Sequence, residues 1–192
     1  MNTEELNALK DKAYKWAVEH GFHEEEKPDA YWLGLVMSEM GEAINADRKG
    51  RHADTKGVEK EIAMGFLAPS RLFESYIKDT VEDEIADIVI RLLDFAGLKG
   101  YTLSFPMFYL LDSSRVMSHF AGNGLPGTLI ELIVILRYSF RRNKTERAIG
   151  GVINTISDCF EKMTGSEHDL WWFVKQKMRY NETRAMLNGK RY

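Results

Sequence analysis

The chain has a single cysteine, no excess of positive charge and no long apolar run, and each shortage removes a class of function. With only Cys159 to work with, neither a disulfide framework nor a thiolate metal cluster can form within one chain. Its apolar-periodic neighbours Val152, Ile153, Ile156 and Phe160 mark Cys159 as a buried structural thiol. A formal net charge of -3 provides no broad cationic field for duplex nucleic acid or an anionic lipid surface, so any phosphate-bearing ligand must be held locally. The most apolar stretch, LIELIVIL, contains Glu131 and ends at Arg137, which is too short to span a bilayer. The opening segment MNTEELNALKDKAYKWAVEH mixes acids and bases without an apolar core, which excludes a secretory signal and leaves the cytoplasm as the expected location.

What is present is helical. The 192 residues are 44% apolar, enough for one domain with a substantial core, and the apolar positions recur at helical spacing without a convincing period-two stretch. An all-α fold is expected. A first helix over about 3–20 turns Leu6, Leu9, Ala13, Trp16 and Ala17 inward and is closed by Gly21. A second starts near Pro28 and reaches about Lys49, with Gly50 as its stop. Ala68-Pro69 divides 52–79 into two short helical pieces. Thr80 caps a strong helix that runs to Leu98, with Glu82 to Glu84 in its positive first turn. Beyond it the pattern predicts a turn at Pro106, a short helix near 113–120, helices at about 127–142 and 145–163, and a last helix from Ser166 to about Ala185.

Two of these helices carry the same device. Glu39 and Glu42 are three residues apart, so their carboxylates share one face in the stripe Leu35, Glu39, Glu42, Ala46. Glu84 and Asp87 repeat the spacing beside Val81, Ile85, Ile88, Leu92 and Phe95. One such pair is ordinary solvated surface, but two on semi-apolar faces repel and lose hydration unless a cation compensates. If the helices pack antiparallel, four carboxylates converge into an oxygen-only cage suited to magnesium or manganese. A di-iron bundle would need Glu-x-x-His motifs, and none of His20, His23, His52, His119 or His168 follows a glutamate at that spacing.

Near the C-terminus, Lys177, Asn181 and Arg184 are spaced i, i+4, i+7, and Gly189, Lys190, Arg191 and Tyr192 follow. Alone the stripe reads as a solvated helix end. Beside an acidic cage it could grip a polyphosphate, lysine as a point charge, arginine bidentately and asparagine by orienting an oxygen.

Taken together these residues resemble the MazG-like, all-α NTP pyrophosphohydrolase superfamily, whose relatives include the dimeric all-α dUTPases and dCTPase-like enzymes. The pattern Glu-x-x-Glu followed by Glu-x-x-Asp is met by Glu39, Glu42, Glu84 and Asp87. EIADIVIRLLDFAG resembles the second metal helix, and KMRYNETRAMLNGKRY the closing helix and tail. The resemblance implies a four-helix core over about 1–50, 80–100 and 166–192 within a single domain 1–192. It leaves 51–79 and 101–165 as inserts, the latter an inserted helical subdomain. That insert is either a degenerate second repeat, with only Glu131 and Asp158 left of its acids, or a plain helix pair that packs on the core or a partner subunit.

The resemblance further implies hydrolysis of a (deoxy)nucleoside triphosphate to the monophosphate and pyrophosphate, with Mg2+, or Mn2+ as a substitute, held by Glu39, Glu42, Glu84 and Asp87. Glu39 is the candidate for contacting the attacking water, and Lys177, Asn181, Arg184 and Lys190 are the candidates for binding substrate. Trp16, Phe22 and Trp32 are possible base contacts, and a homodimer or homotetramer is expected. The competing reading is a non-catalytic helical module that binds a nucleotide or a protein.

Overall fold

The computed structural model describes residues 1–65, 67–105, 113–140, 142 and 144–184, with side chains omitted over 113–120. Among the described residues there are eight helices and no strand: α1 (Thr3–Glu19), α2 (Asp29–Arg48), α3 (Thr55–Met64), α4 (Pro69–Tyr76), α5 (Val81–Leu98), α6 (Ser113–Phe140), α7 (Thr145–Thr164) and α8 (Leu170–Asn181). None of them is long and apolar enough to cross a membrane.

Local chemistry sets most of the ends. Asn2 and Glu5 form a reciprocal capping box at the start of α1, satisfying two N–H groups that have no helical partner. Thr80 caps α5 through Asp83 N–H, and Gly50 leaves α2 at φ +60°, a conformation that costs glycine nothing.

α5 is the axis of the molecule. Nearly every residue on it is buried, including Ile85, Ile88, Val89 and Leu93 at full burial, because α1, α2, α7 and α8 pack around it. Each such aliphatic side chain contributes about 1.5–3 kcal/mol relative to exposure. α2 runs antiparallel to α5: Asp29 meets Lys99 at 3.0 Å, Glu39 meets Arg91 at 3.0 Å, and Arg51 C=O accepts from Val81 N–H at 3.0 Å. α1 is antiparallel too, with Asn7 bonded to Leu103 and Lys10 to the Tyr101 carbonyl. Gly97 permits that approach, since a Cβ there would stand 2.4 Å from Tyr14 Cβ.

The apolar core is one cluster from Leu6 to Met178, and the region 101–165 contributes to it through Leu129, Leu136, Ile149, Val152, Ile156 and Phe160. α7 packs on α5 and α8, and α6 packs on α7 and α2. Of the acids in this region, Glu131 and Asp158 are both exposed, so they do not form a second buried carboxylate site. Cys159 is buried as expected, and burial pushes its thiol up to about 11.

Three boundaries differ from the sequence pattern. The helices expected near 113–120 and 127–142 are joined as α6 with a break at Gly124 (φ +64°, ψ -167°), because glycine allows the chain to turn and continue ahead of Pro126. α8 starts at Leu170, since the Asp169 carboxylate takes the capping position by accepting from Trp172 N–H at 2.8 Å. It ends at Asn181 and tightens into a turn through Thr183 and Arg184. The expected turn at Pro106 lies outside the described residues.

Candidate metal centre

Because α2 and α5 are antiparallel, their acidic faces meet. Glu39, Glu42 and Glu84 each bring a carboxylate oxygen within 4.8 Å of the others, and the three line a cleft of about 230 Å³. Asp87, Lys177, Tyr180, Asn181 and Arg184 line the same cleft, so the acidic faces of α2 and α5 and the basic stripe of α8 share one site. Lys190 lies outside the described residues.

Each acid has a different environment. Glu39 is buried, and its Oε1 accepts from Arg91 Nε at 3.0 Å, which leaves Oε2 for another partner. Burial pushes its carboxyl up, Asp87 adding to this while Arg91 opposes it. Glu42 is solvent-exposed at the mouth. Glu84 is 5% exposed, and no donor among the described residues is bonded to it. Burial first, and the carboxylates of Asp83 and Asp87 next, push it up to about 8. Such a group is short of a cation.

Asp87 is on the cleft wall but outside the glutamate triad, and Lys177 Nζ bonds both Asp87 Oδ2 and Asp83 Oδ1 at 2.7 Å. The Lys177 side chain is buried, which opposes its charge, yet Asp87 and Asp83 together hold the ammonium above its ordinary range. The sequence pattern anticipates a lysine free to meet phosphate; the structure places it as a clasp between α8 and α5. Asn181 is 6% exposed and lines the cleft with its Oδ1 unpartnered. A buried acceptor without a donor loses hydration for nothing, so Asn181 is a costly residue to place on this wall.

The aromatic candidates separate. Trp16 lines the cleft, with Phe22 stacked on it at 5.8 Å between ring centres. Trp32 is in the core, packed on His23 at 4.8 Å, and does not line the cleft. Of the other two tryptophans, Trp171 is core and Trp172 stacks on His168.

Several residues here are missing from the sequence-level site. Arg91 sits between Glu39 and the Phe22 ring, 5.8 Å from its centre. Asp83 holds Lys177, and Lys78 bonds Asp79 at 2.8 Å on the cleft wall. Asp79 takes φ +61°, a left-handed conformation that turns its N–H onto Asp83 Oδ2 at 3.0 Å. The available clue to Arg91 is its isolation, a lone cation one turn beyond Asp87 among Val89, Ile90, Leu92 and Leu93.

The donor set is all oxygen, partly buried and rich in negative charge, and Asn181 with its orphaned amide oxygen is on the wall of the same cleft; these residues fit a hard divalent cation. A larger groove of about 560 Å³ between α2 and α6 is lined by Leu33, Met37, Ile133, Val134 and Tyr138, with Arg137 as its charged group. Among the described residues it is lined by no acid. No known protein family, curated protein or solved structure matches the chain.

Proposed function

We propose that the protein is a cytoplasmic, magnesium-dependent nucleoside triphosphate pyrophosphohydrolase of MazG-like type, converting a (d)NTP and water to the (d)NMP and pyrophosphate. The observation that carries this reading is the convergence, in one cleft, of Glu39, Glu42 and Glu84 with Asn181 and Arg184. A carboxylate triad alone would suit many cations, whereas an adjoining amide and guanidinium select an anionic, oxygen-rich partner.

Magnesium, with manganese as a substitute, would be held by Glu39 Oε2, Glu42 and Glu84, and when bound it supplies charge stabilisation at phosphate oxygens and acidifies water. The rest of the work belongs to the chain. Glu39, fixed by Arg91, contacts the attacking water and orients it. Arg184 grips a phosphate bidentately, and Asn181 Oδ1 accepts from a sugar hydroxyl or an ordered water. The Trp16 face, backed by Phe22, offers the base an apolar wall. Lys177 keeps Asp87 and Asp83 in place, so Asp87 supports the centre from one side and is not committed to the cation in this arrangement. The protein is expected to work as a homodimer or homotetramer, which light scattering measures directly.

The test incubates the purified chain with magnesium and a panel of canonical and modified NTPs, scoring monophosphate and pyrophosphate. At least one nucleotide should be turned over, and Glu39→Gln should lower that rate by about 100-fold or more. Release of inorganic phosphate in place of pyrophosphate, or full activity in Glu39→Gln, overturns the mechanism. Nucleotide binding without turnover would favour the non-catalytic module.

A further inference from the structure

We propose that Arg91 is a built-in cation of the metal centre and limits the free protein to one divalent ion per chain. The inference rests on the reading of Glu39, Glu42 and Glu84 as metal ligands and extends it to the number of ions held.

Position and charge set this limit. Arg91 Nε is 3.0 Å from Glu39 Oε1, and its guanidinium is 5.8 Å from the centre of the Phe22 ring, so it is fixed on the α2 side of the cleft between a carboxylate and an aromatic face. Its side chain is 22% exposed, and a guanidinium cannot shed its proton in a protein, so the charge is permanent. Lys177 fills the corresponding place on the α8 side, bonded to Asp83 and Asp87. The other carboxylates that could hold a second ion, including Asp79 and Asp83, whose oxygens also lie within 4.8 Å of Glu84, are already shared with cations: Asp83 and Asp87 with Lys177, Asp79 with Lys78, and one oxygen of Glu39 with Arg91.

Arg91 and Lys177 thus hold Glu39, Asp83 and Asp87, and Lys78 and Arg184 add two further cations on the cleft wall. Glu42 and Glu84 are left without a bonded cation among the described residues, and the unoffset negative charge is centred on them. A second ion would have to sit against the Arg91 guanidinium or displace it from Glu39, with like charges adjoining in a partly buried site. Under the proposed function any further magnesium would enter with the triphosphate. Arg91 is a positioning residue in this scheme: it acts by occupying Oε1 of Glu39 and directing Oε2 toward the cation.

The experiment uses Mn2+ alone, without nucleotide, titrated into the full chain and followed by electron paramagnetic resonance of the free ion. The wild-type protein should bind one Mn2+ per chain, Arg91→Lys should keep that number, and Arg91→Gln should admit a second. Two comparable sites in the wild-type protein overturn the proposal, as does an Arg91→Gln variant that is folded by circular dichroism and still binds one. If Arg91→Gln does not fold, the wild-type and Arg91→Lys stoichiometries decide. No Mn2+ binding by the wild-type protein overturns the metal centre itself. One ion in the wild-type protein and two in Arg91→Gln, without turnover of any NTP, upholds the role of Arg91 and overturns the pyrophosphohydrolase reading alone.

Discussion

Glu84 is the buried acid of the candidate centre that has no donor to offset its burial. It is 5% exposed, beside Asp83 and Asp87, and bonded to no donor among the described residues, so its ionised form is disfavoured in the empty cleft. Glu84→Gln removes that charge with almost no change of shape. In metal-free buffer near neutral pH the variant should be more stable than wild type by about 1 kcal/mol or more, read from urea unfolding. It should also lose the rise in melting temperature that magnesium confers. A variant that is destabilised without metal, or that keeps the full magnesium effect, would show that Glu84 is neither strained nor a ligand. The spacing of Glu84 from Asp87 is written in the sequence; its isolation from any donor is a property of the packed structure.

Between elements, the decisive contact is the clasp of Lys177 on Asp83 and Asp87, which ties α8 to the first turns of α5. Its burial makes it sensitive to the loss of one partner. Lys177→Met leaves two carboxylates close together in a poorly solvated space and should destabilise the fold by about 3–5 kcal/mol, measured by chemical denaturation in metal-free buffer. Adding Asp83→Asn to that variant should recover part of the loss. An unchanged unfolding midpoint in the single variant would mean that the clasp adds nothing. Helix existence was legible from the sequence because caps and apolar periods are local: Thr80, Gly50 and the Leu6, Ala13, Ala17 face all act as their residue types suggest. α8 was less legible. Its start depends on Asp169 capping in preference to Ser166, which instead bonds His168 N–H, a competition between two good capping residues.

For the whole molecule, the excess of acids in one cleft couples stability to pH and to divalent ions. The folded-state pKa of Glu84 is raised from 4.5 to about 8, so the native state holds its proton more tightly than the unfolded chain does. This contribution to stability is complete below the unfolded value and is lost as pH rises through the folded one. The metal-free protein should therefore lose melting temperature between about pH 5 and pH 8. A divalent cation competes with that proton, so the stabilisation by magnesium should grow over the same interval. Melting curves with chelator and with magnesium across this range provide the check. A metal-free melting temperature that holds or rises, with a magnesium effect independent of pH, would refute the coupling.

By itself, the sequence determined the helical class, the positions of most helices and the pairing of acids on two of them, because period, capping and i, i+3 spacing are short-range properties of the chain. It also carried the three stripe residues Lys177, Asn181 and Arg184, all of which reach the cleft. Only the tertiary structure decided what each of them does there. The antiparallel packing of α2 on α5 joins Glu39, Glu42 and Glu84 while Lys177 bonds Asp87, and it sets Arg91 against Glu39 across residues far apart in sequence. It also sends Trp32 into the core and leaves Trp16 at the cleft. Such pairings depend on which faces meet after every apolar surface has found cover, and no local pattern encodes that outcome.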